Sequence, residues 1–123
     1  MTGNEYKNEL YRRIYLYGLK IIRMMEGLPK DRTSDVIGKQ LLRSGTSVSA
    51  NVVEAKSASS KKDYINFYHY ALKSANESKL WICYLRDSKK LDEKESNDIL
   101  KETEEISKIL AASIITMKNK NKI

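Results

Sequence analysis

Apolar residues recur three or four positions apart along almost the whole chain, and that rhythm restricts it to long amphipathic helices. Only one proline, Pro29, and five glycines interrupt 123 residues, so few points are available for turns. Tyr6, Leu10, Ile14, Tyr17, Ile21, Met24 and Leu28 form one such stripe. It predicts a first helix over 5–27, closed by Gly27-Leu28-Pro29. Tyr11, Tyr15, Gly18, Ile22 and Met25 form a second stripe beside it, widened by Leu16 and Leu19. A bundle helix needs one broad stripe for its own core. Tyr11, Tyr15, Ile22 and Met25 are therefore expected to meet another subunit.

The second helix is hidden by composition. Ser44-Gly45-Thr46-Ser47-Val48-Ser49 contains weak helix formers. The spacing of Leu41, Gly45, Val48, Val52 and Ala55 overrides that and predicts a helix over 34–56. Ser60, with Asp63 three positions on, caps a third helix over 61–87. Its inner stripe is Tyr64, Tyr68, Ala71, Ala75, Ser78, Ile82 and Leu85, with Phe67, Tyr70, Ser74, Glu77, Trp81 and Tyr84 alongside. Asp92 with Glu95 forms a capping box for a fourth helix over 93–118, whose Ile99, Ile106, Leu110, Ser113 and Met117 face inward. Acidic residues crowd its first half, where the helix dipole favours them. Short connections make successive helices antiparallel neighbours. The expected fold is an all-α, antiparallel up-down four-helix bundle over 1–118, followed by a basic tail over 119–123.

The net charge of +7 is unevenly placed. Residues 1–90 hold 17 Lys/Arg against 9 Asp/Glu, whereas residues 91–117 hold 3 Lys against 7 Asp/Glu. A basic body with one acidic segment points to an anionic partner such as RNA or DNA. The single cysteine, Cys83, excludes an intrachain disulfide and a cysteine-based zinc site. The first thirty residues contain no apolar run free of charge, so neither a secretory signal nor a membrane span is expected, and the cytoplasm is the expected location.

Polar residues on apolar faces are the anomaly. Ser44, Ser47, Asn51 and Glu54 run beside the inner stripe of the second helix, and Glu77 sits among the aromatic residues of the third. An unpaired buried carboxylate is costly, which makes Arg43 the expected cation for Glu54 or Glu77. Arg43, Ser47, Asn51, Glu54 and Glu77 are thus expected to form a buried polar network that sets helix register or subunit contact. The alternative is a binding or catalytic pocket, disfavoured because no nucleophile or metal set accompanies these residues.

These residues also carry a family likeness. The run from Leu42-Arg43-Ser44-Gly45 through Ser47, Asn51 and Glu54, followed by Asp63-Tyr64, Phe67, Ala71 and Ser74-Ala75-Asn76-Glu77, resembles the four-helix-bundle family first named for proteins encoded in intervening sequences of bacterial 23S rRNA genes. The position after Glu54, often glycine in that family, is Ala55 here. The resemblance implies a ring-like homo-oligomer, a homopentamer. Through the related accessory protein of diversity-generating retroelements, it also implies a basic surface that engages nucleic acid and a nucleic-acid-processing enzyme.

Enzyme chemistry finds little support in the residues. The only histidine, His69, is preceded three positions earlier by Asn66, so no Glu-x-x-His di-iron motif exists. No glycine-rich phosphate loop is present, and neither metal nor cofactor is expected. The expected phosphate contacts are Arg12, Arg13, Lys20 and Arg23 on the first helix and Lys61, Lys62, Lys73 and Lys79 on the third. The leading expectation is a non-enzymatic, oligomeric nucleic-acid-binding protein. The alternatives are a scaffold that recruits a protein partner without touching nucleic acid and, more weakly, an enzyme built on Arg43, Asn51, Glu54 and Glu77.

Overall fold

The computed structural model describes residues 3–120, with side chains from Asn8 onward; the side chain of Tyr6 in the first stripe and tail residues 121–123 lie outside this description. Among the described residues there are four α-helices: α1 (Gly3–Glu26), α2 (Arg32–Ala55), α3 (Lys61–Asp87) and α4 (Glu93–Lys120). No strand occurs among the described residues.

Capping chemistry explains the starts of α2, α3 and α4 and the end of α3. α2 begins two residues before the expected start because Asp31, in an extended conformation, accepts a hydrogen bond from the Ser34 amide at 2.8 Å. Ser34 is thereby freed from the cap and turned inward, where it is buried. Ser60 caps α3 as the spacing predicts, accepting from the Asp63 amide at 3.0 Å, while the Asp63 carboxylate accepts from Ser59. Lys89 closes α3 in the left-handed region, φ 62°, and the amides of Lys90 and Leu91 return to the Leu85 carbonyl. Asp92 accepts from the Glu95 amide at 2.9 Å to start α4. α4 then continues to Lys120, so the first two residues of the expected tail are helical.

Packing follows the stripes. Leu10, Ile14, Tyr17, Ile21 and Met24 of α1 are buried against Leu41, Val48, Val52 and Ala55 of α2 and Tyr68, Ala71, Ala75, Ile82 and Leu85 of α3. In α4 the inward face is Ile99, Thr103, Ile106, Leu110 and Ile114, while Ser113 and Met117 are half-buried. The buried row keeps four-and-three spacing through Thr103 and Ile114, and that rotation carries Ser113 and Met117 to its margin.

Small residues set how closely the helices approach. A side-chain carbon on Gly45 would lie 3.1 Å from both Cγ atoms of Ile21, so α1 and α2 meet there with almost no spare room. Between α2 and α3 lies a buried hydroxyl pair, Ser44 Oγ and Ser78 Oγ, 2.8 Å apart. α3 and α4 are tied by Ser107 to Asn76 at 3.3 Å and Arg86 to Asn97 at 3.0 Å. α1 reaches α4 through long side chains, with the Tyr17 hydroxyl 2.7 Å from Thr103 Oγ1.

Burial pushes the Tyr17 phenol up to about 12, an effect its Thr103 and Ser78 hydrogen bonds only partly oppose. The neutral phenol is therefore favoured in the fold. Its contribution is complete below the unfolded value of roughly 10 and is lost as pH rises toward the folded one. Urea titrations at pH 8 to 11.5 should show a steeper alkaline loss of stability for the parent than for Tyr17→Phe. Parallel curves for the two proteins would mean that Tyr17 ionises freely in the folded state.

Candidate nucleic-acid interface

The eight expected phosphate contacts separate into two groups. Arg12, Lys20 and Arg23 of α1 and Lys61, Lys62 and Lys73 of α3 are exposed, and among the described residues no ion pair engages them. Arg13 and Lys79 are different. Arg13 donates from Nε and Nη2 to the two carboxylate oxygens of Glu102 at 2.9 and 2.7 Å, a forked contact that raises its already high pKa. Lys79 is paired with Glu104, and the lysine holds that carboxyl below its usual range. Both cations brace α4 against its neighbours, which corrects the expectation that they face a phosphate. The acidic half of α4 supplies both partners.

The expected buried polar network is also corrected. Arg43 and Glu77 do pair, and Trp81 Nε1 donates to the same Glu77 oxygen at 2.8 Å, but the two side chains are 55% and 36% exposed. Ser47 donates to the Arg43 carbonyl and Asn51 to the Ser47 carbonyl, so each is satisfied within its own helix. Glu54 is exposed. The buried serine and threonine hydroxyls are instead those of Ser34, Ser44, Ser78, Ser96, Thr103 and Ser107, all at positions where helices approach closely or begin. Arg43, Glu77 and Trp81 form a surface cluster between α2 and α3, flanked by the exposed Tyr70 and Tyr84.

Of the four expected subunit contacts, Tyr15 and Ile22 are exposed, at 65% and 38%. On α2 the exposed Val53 shares a surface groove with Tyr15, and the exposed Leu42 shares one with Met25. Tyr11 and Met25 are half-buried and pack against the chain's own core. The Tyr11 ring lies 3.8 Å beneath the ammonium of Lys56. Burial, and then contact with Tyr64, raise the Tyr11 phenol above its ordinary value. Tyr64 in turn stacks on Tyr68 with ring centres 5.1 Å apart.

Lys56 is a cation that the sequence pattern conceals, because it stands just past the last turn of α2. Lys120, expected in a tail, lies with Lys118 in the last turn of α4. His69 and Cys83 are half-buried. Among the described residues no group of three or more His, Cys, Asp or Glu is arranged to hold a metal ion, and no helix is long and apolar enough to cross a membrane.

A profile of the 23S rRNA-intervening sequence protein family matches residues 6–112. Among solved structures, a protein of unknown function from the S23 ribosomal protein family of Bacteroides thetaiotaomicron is similar to this chain. It is 32% identical, with a TM-score of 0.80, over 85% of this chain and 97% of that one. No curated protein matches the chain.

Proposed function

The chain belongs to the 23S rRNA-intervening sequence protein family, and from that premise we propose that it is a non-enzymatic subunit of an oligomer that binds RNA or DNA through its basic surface. The observation that carries this reading is the set of exposed cations on α1 and α3 that have no acidic partner among the described residues, Arg12, Lys20, Arg23, Lys61, Lys62 and Lys73. Exposed unpaired cations attract phosphates and release condensed counterions without reading sequence.

The fold behind this reading is an antiparallel up-down bundle. In its support, Gly18 adjoins Ser49 and Gly45 adjoins Ile21, so numbers rise along α2 as they fall along α1. Asn76 with Ser107 and Arg86 with Asn97 run the same way between α3 and α4. Two exposed apolar faces flank α2, one with Tyr15 and Val53, the other with Tyr70 and Tyr84. Two unlike faces on one chain suit head-to-tail contacts that close into a ring, and a ring multiplies weak phosphate contacts. The second face, with Trp81 and the Arg43–Glu77 pair, also favours the alternative in which a protein partner is recruited, since Trp, Tyr and Arg dominate such contacts.

Gel shifts at low salt test the proposal. Binding should weaken steeply with salt. Replacing the six unpaired cations by glutamine should weaken it about tenfold or more, whereas Arg13→Gln with Lys79→Gln should change it less than about threefold. Absence of any shift at low salt would leave the protein-scaffold reading in its place.

A further inference from the structure

Charge balance is polarised along the bundle. At the end where α2 starts and α3 finishes, acids match the cations: Lys39 pairs with Asp35 at 3.2 Å, Lys90 with Asp31 at 3.2 Å, Arg86 with Asp87 at 2.8 Å and Lys94 with Asp98 at 3.0 Å. The exposed Arg23, Lys30, Arg32 and Lys89, which no ion pair engages among the described residues, stand among Glu26, Asp92, Glu93 and Glu95, whereas of the described acidic side chains only Glu9, Glu54 and Asp63 accompany the cations of the opposite end. At the other end, Lys56, Lys61, Lys62, Lys118, Lys120 and Arg12 are exposed, and no ion pair engages them among the described residues. Three contacts bring this end together. Lys56 of the α2 terminus rests on Tyr11 of α1, Tyr11 meets Tyr64 of α3, and Tyr64 stacks on Tyr68. The Asn76–Ser107 contact ties α4 to α3. From it, α3 runs back to Lys61 over ~22 Å and α4 runs on to Lys120 over ~20 Å, which brings their termini level.

Resting on the nucleic-acid reading above, we infer that this end of the bundle is the phosphate-binding surface and that its ligand is the backbone of a paired nucleic acid. Lys56 and its neighbours offer charge without a stacking platform. The Tyr11 face is covered by Lys56 and Tyr64 is stacked on Tyr68, while the nearest exposed ring, Tyr15, lies one turn further along α1 on the side of Val53, so the lysines of the end itself have no stacking platform between them. Contact is thereby limited to phosphates. A duplex presents one charge per ~1.7 Å of axis, about twice the density of a single strand, and so gains more from a compact lysine cluster. Four helix ends packed at interaxial distances of 8–10 Å span about 20 Å, wide enough to meet several phosphates at once.

The test compares two sets of substitutions in the full chain, using a fluorescein-labelled 20-base-pair RNA duplex, the matching DNA duplex and the single-stranded 20-mer. The end set is Lys56→Gln, Lys61→Gln, Lys62→Gln, Lys118→Gln and Lys120→Gln; the side set is Lys20→Gln, Arg23→Gln and Lys73→Gln. The end set should weaken duplex binding about tenfold or more and reduce the salt slope by about 0.9 for each phosphate no longer neutralised, while the side set should weaken binding less than about threefold. Lys61→Gln with Lys62→Gln alone, a milder change checked for unaltered helicity, should fall between. A weakening by the side set equal to or above that by the end set overturns the location while leaving nucleic-acid binding intact. A single strand that binds as tightly as either duplex overturns the paired-backbone ligand. If the unaltered protein shifts none of the three probes, the parent reading fails too.

Discussion

Ile21→Ala should lower the unfolding free energy by about 3 kcal/mol, within the 2–5 kcal/mol typical of removing a large aliphatic group from a closed core. Ile21 is fully buried and lies against the backbone of α2 at Gly45, where little can collapse into the space it leaves. The midpoint of thermal unfolding should fall by roughly 10 °C for a domain of this size. Gly45→Ala supplies the control. In the parent, its methyl would press on the two Cγ atoms of a β-branched side chain that has little rotamer freedom. That strain offsets the gain of about 1 kcal/mol from replacing glycine in a helix. In the Ile21→Ala background the methyl enters vacated space, and the double variant should recover about 1 kcal/mol. Urea unfolding of all four proteins at one fixed protein concentration gives the coupling directly. Strict additivity would mean that the two positions do not touch; a cost below about 1 kcal/mol for Ile21→Ala would mean that the α1–α2 seam is looser than described.

The seam illustrates what a sequence of this kind exposes to a reader. Leu10, Ile14, Tyr17, Ile21 and Met24 were legible as a core because one helix's own periodicity places them on one face. Helix α2 was legible for the same reason, although its Ser-Gly-Thr-Ser run favours a loop. Arg12 and Arg13 mark the limit. They are adjacent in sequence and identical in chemistry, yet one points to solvent while the other grips Glu102, 89 positions away. No local spacing encodes that difference. Ser47 and Asn51 mark a second limit, since a polar residue beside an apolar stripe can bond its own helix four residues back as readily as a neighbouring one. The basic end is the third. Lys56, Lys61 and Lys120 come from different helices, and their common location exists only once the chain has folded back on itself.

Ser78→Leu should cost about 3 kcal/mol, whereas Ser78→Ala should cost less than about 1 kcal/mol, and the contrast separates size from hydrogen bonding at the α2–α3 contact. Ser78 and Ser44 are both fully buried and share a 2.8 Å hydroxyl contact. Each also returns to its own helix, Ser78 to the Ser74 carbonyl at 2.8 Å and Ser44 to the Leu41 carbonyl at 3.4 Å. Truncation to alanine therefore leaves Ser44 with an acceptor, removes no core volume of consequence and raises helix propensity. Leucine adds bulk to a fully buried site. α2 must then move outward, which would also loosen the Val48 and Ala75 layer. The displaced helix carries Arg43 away from Glu77, whose carboxylate also holds the Trp81 indole. Tryptophan emission should accordingly change in Ser78→Leu before global unfolding and remain unaltered in Ser78→Ala. Equal costs for the two substitutions would show that the hydroxyl pair, rather than close packing, holds α2 to α3.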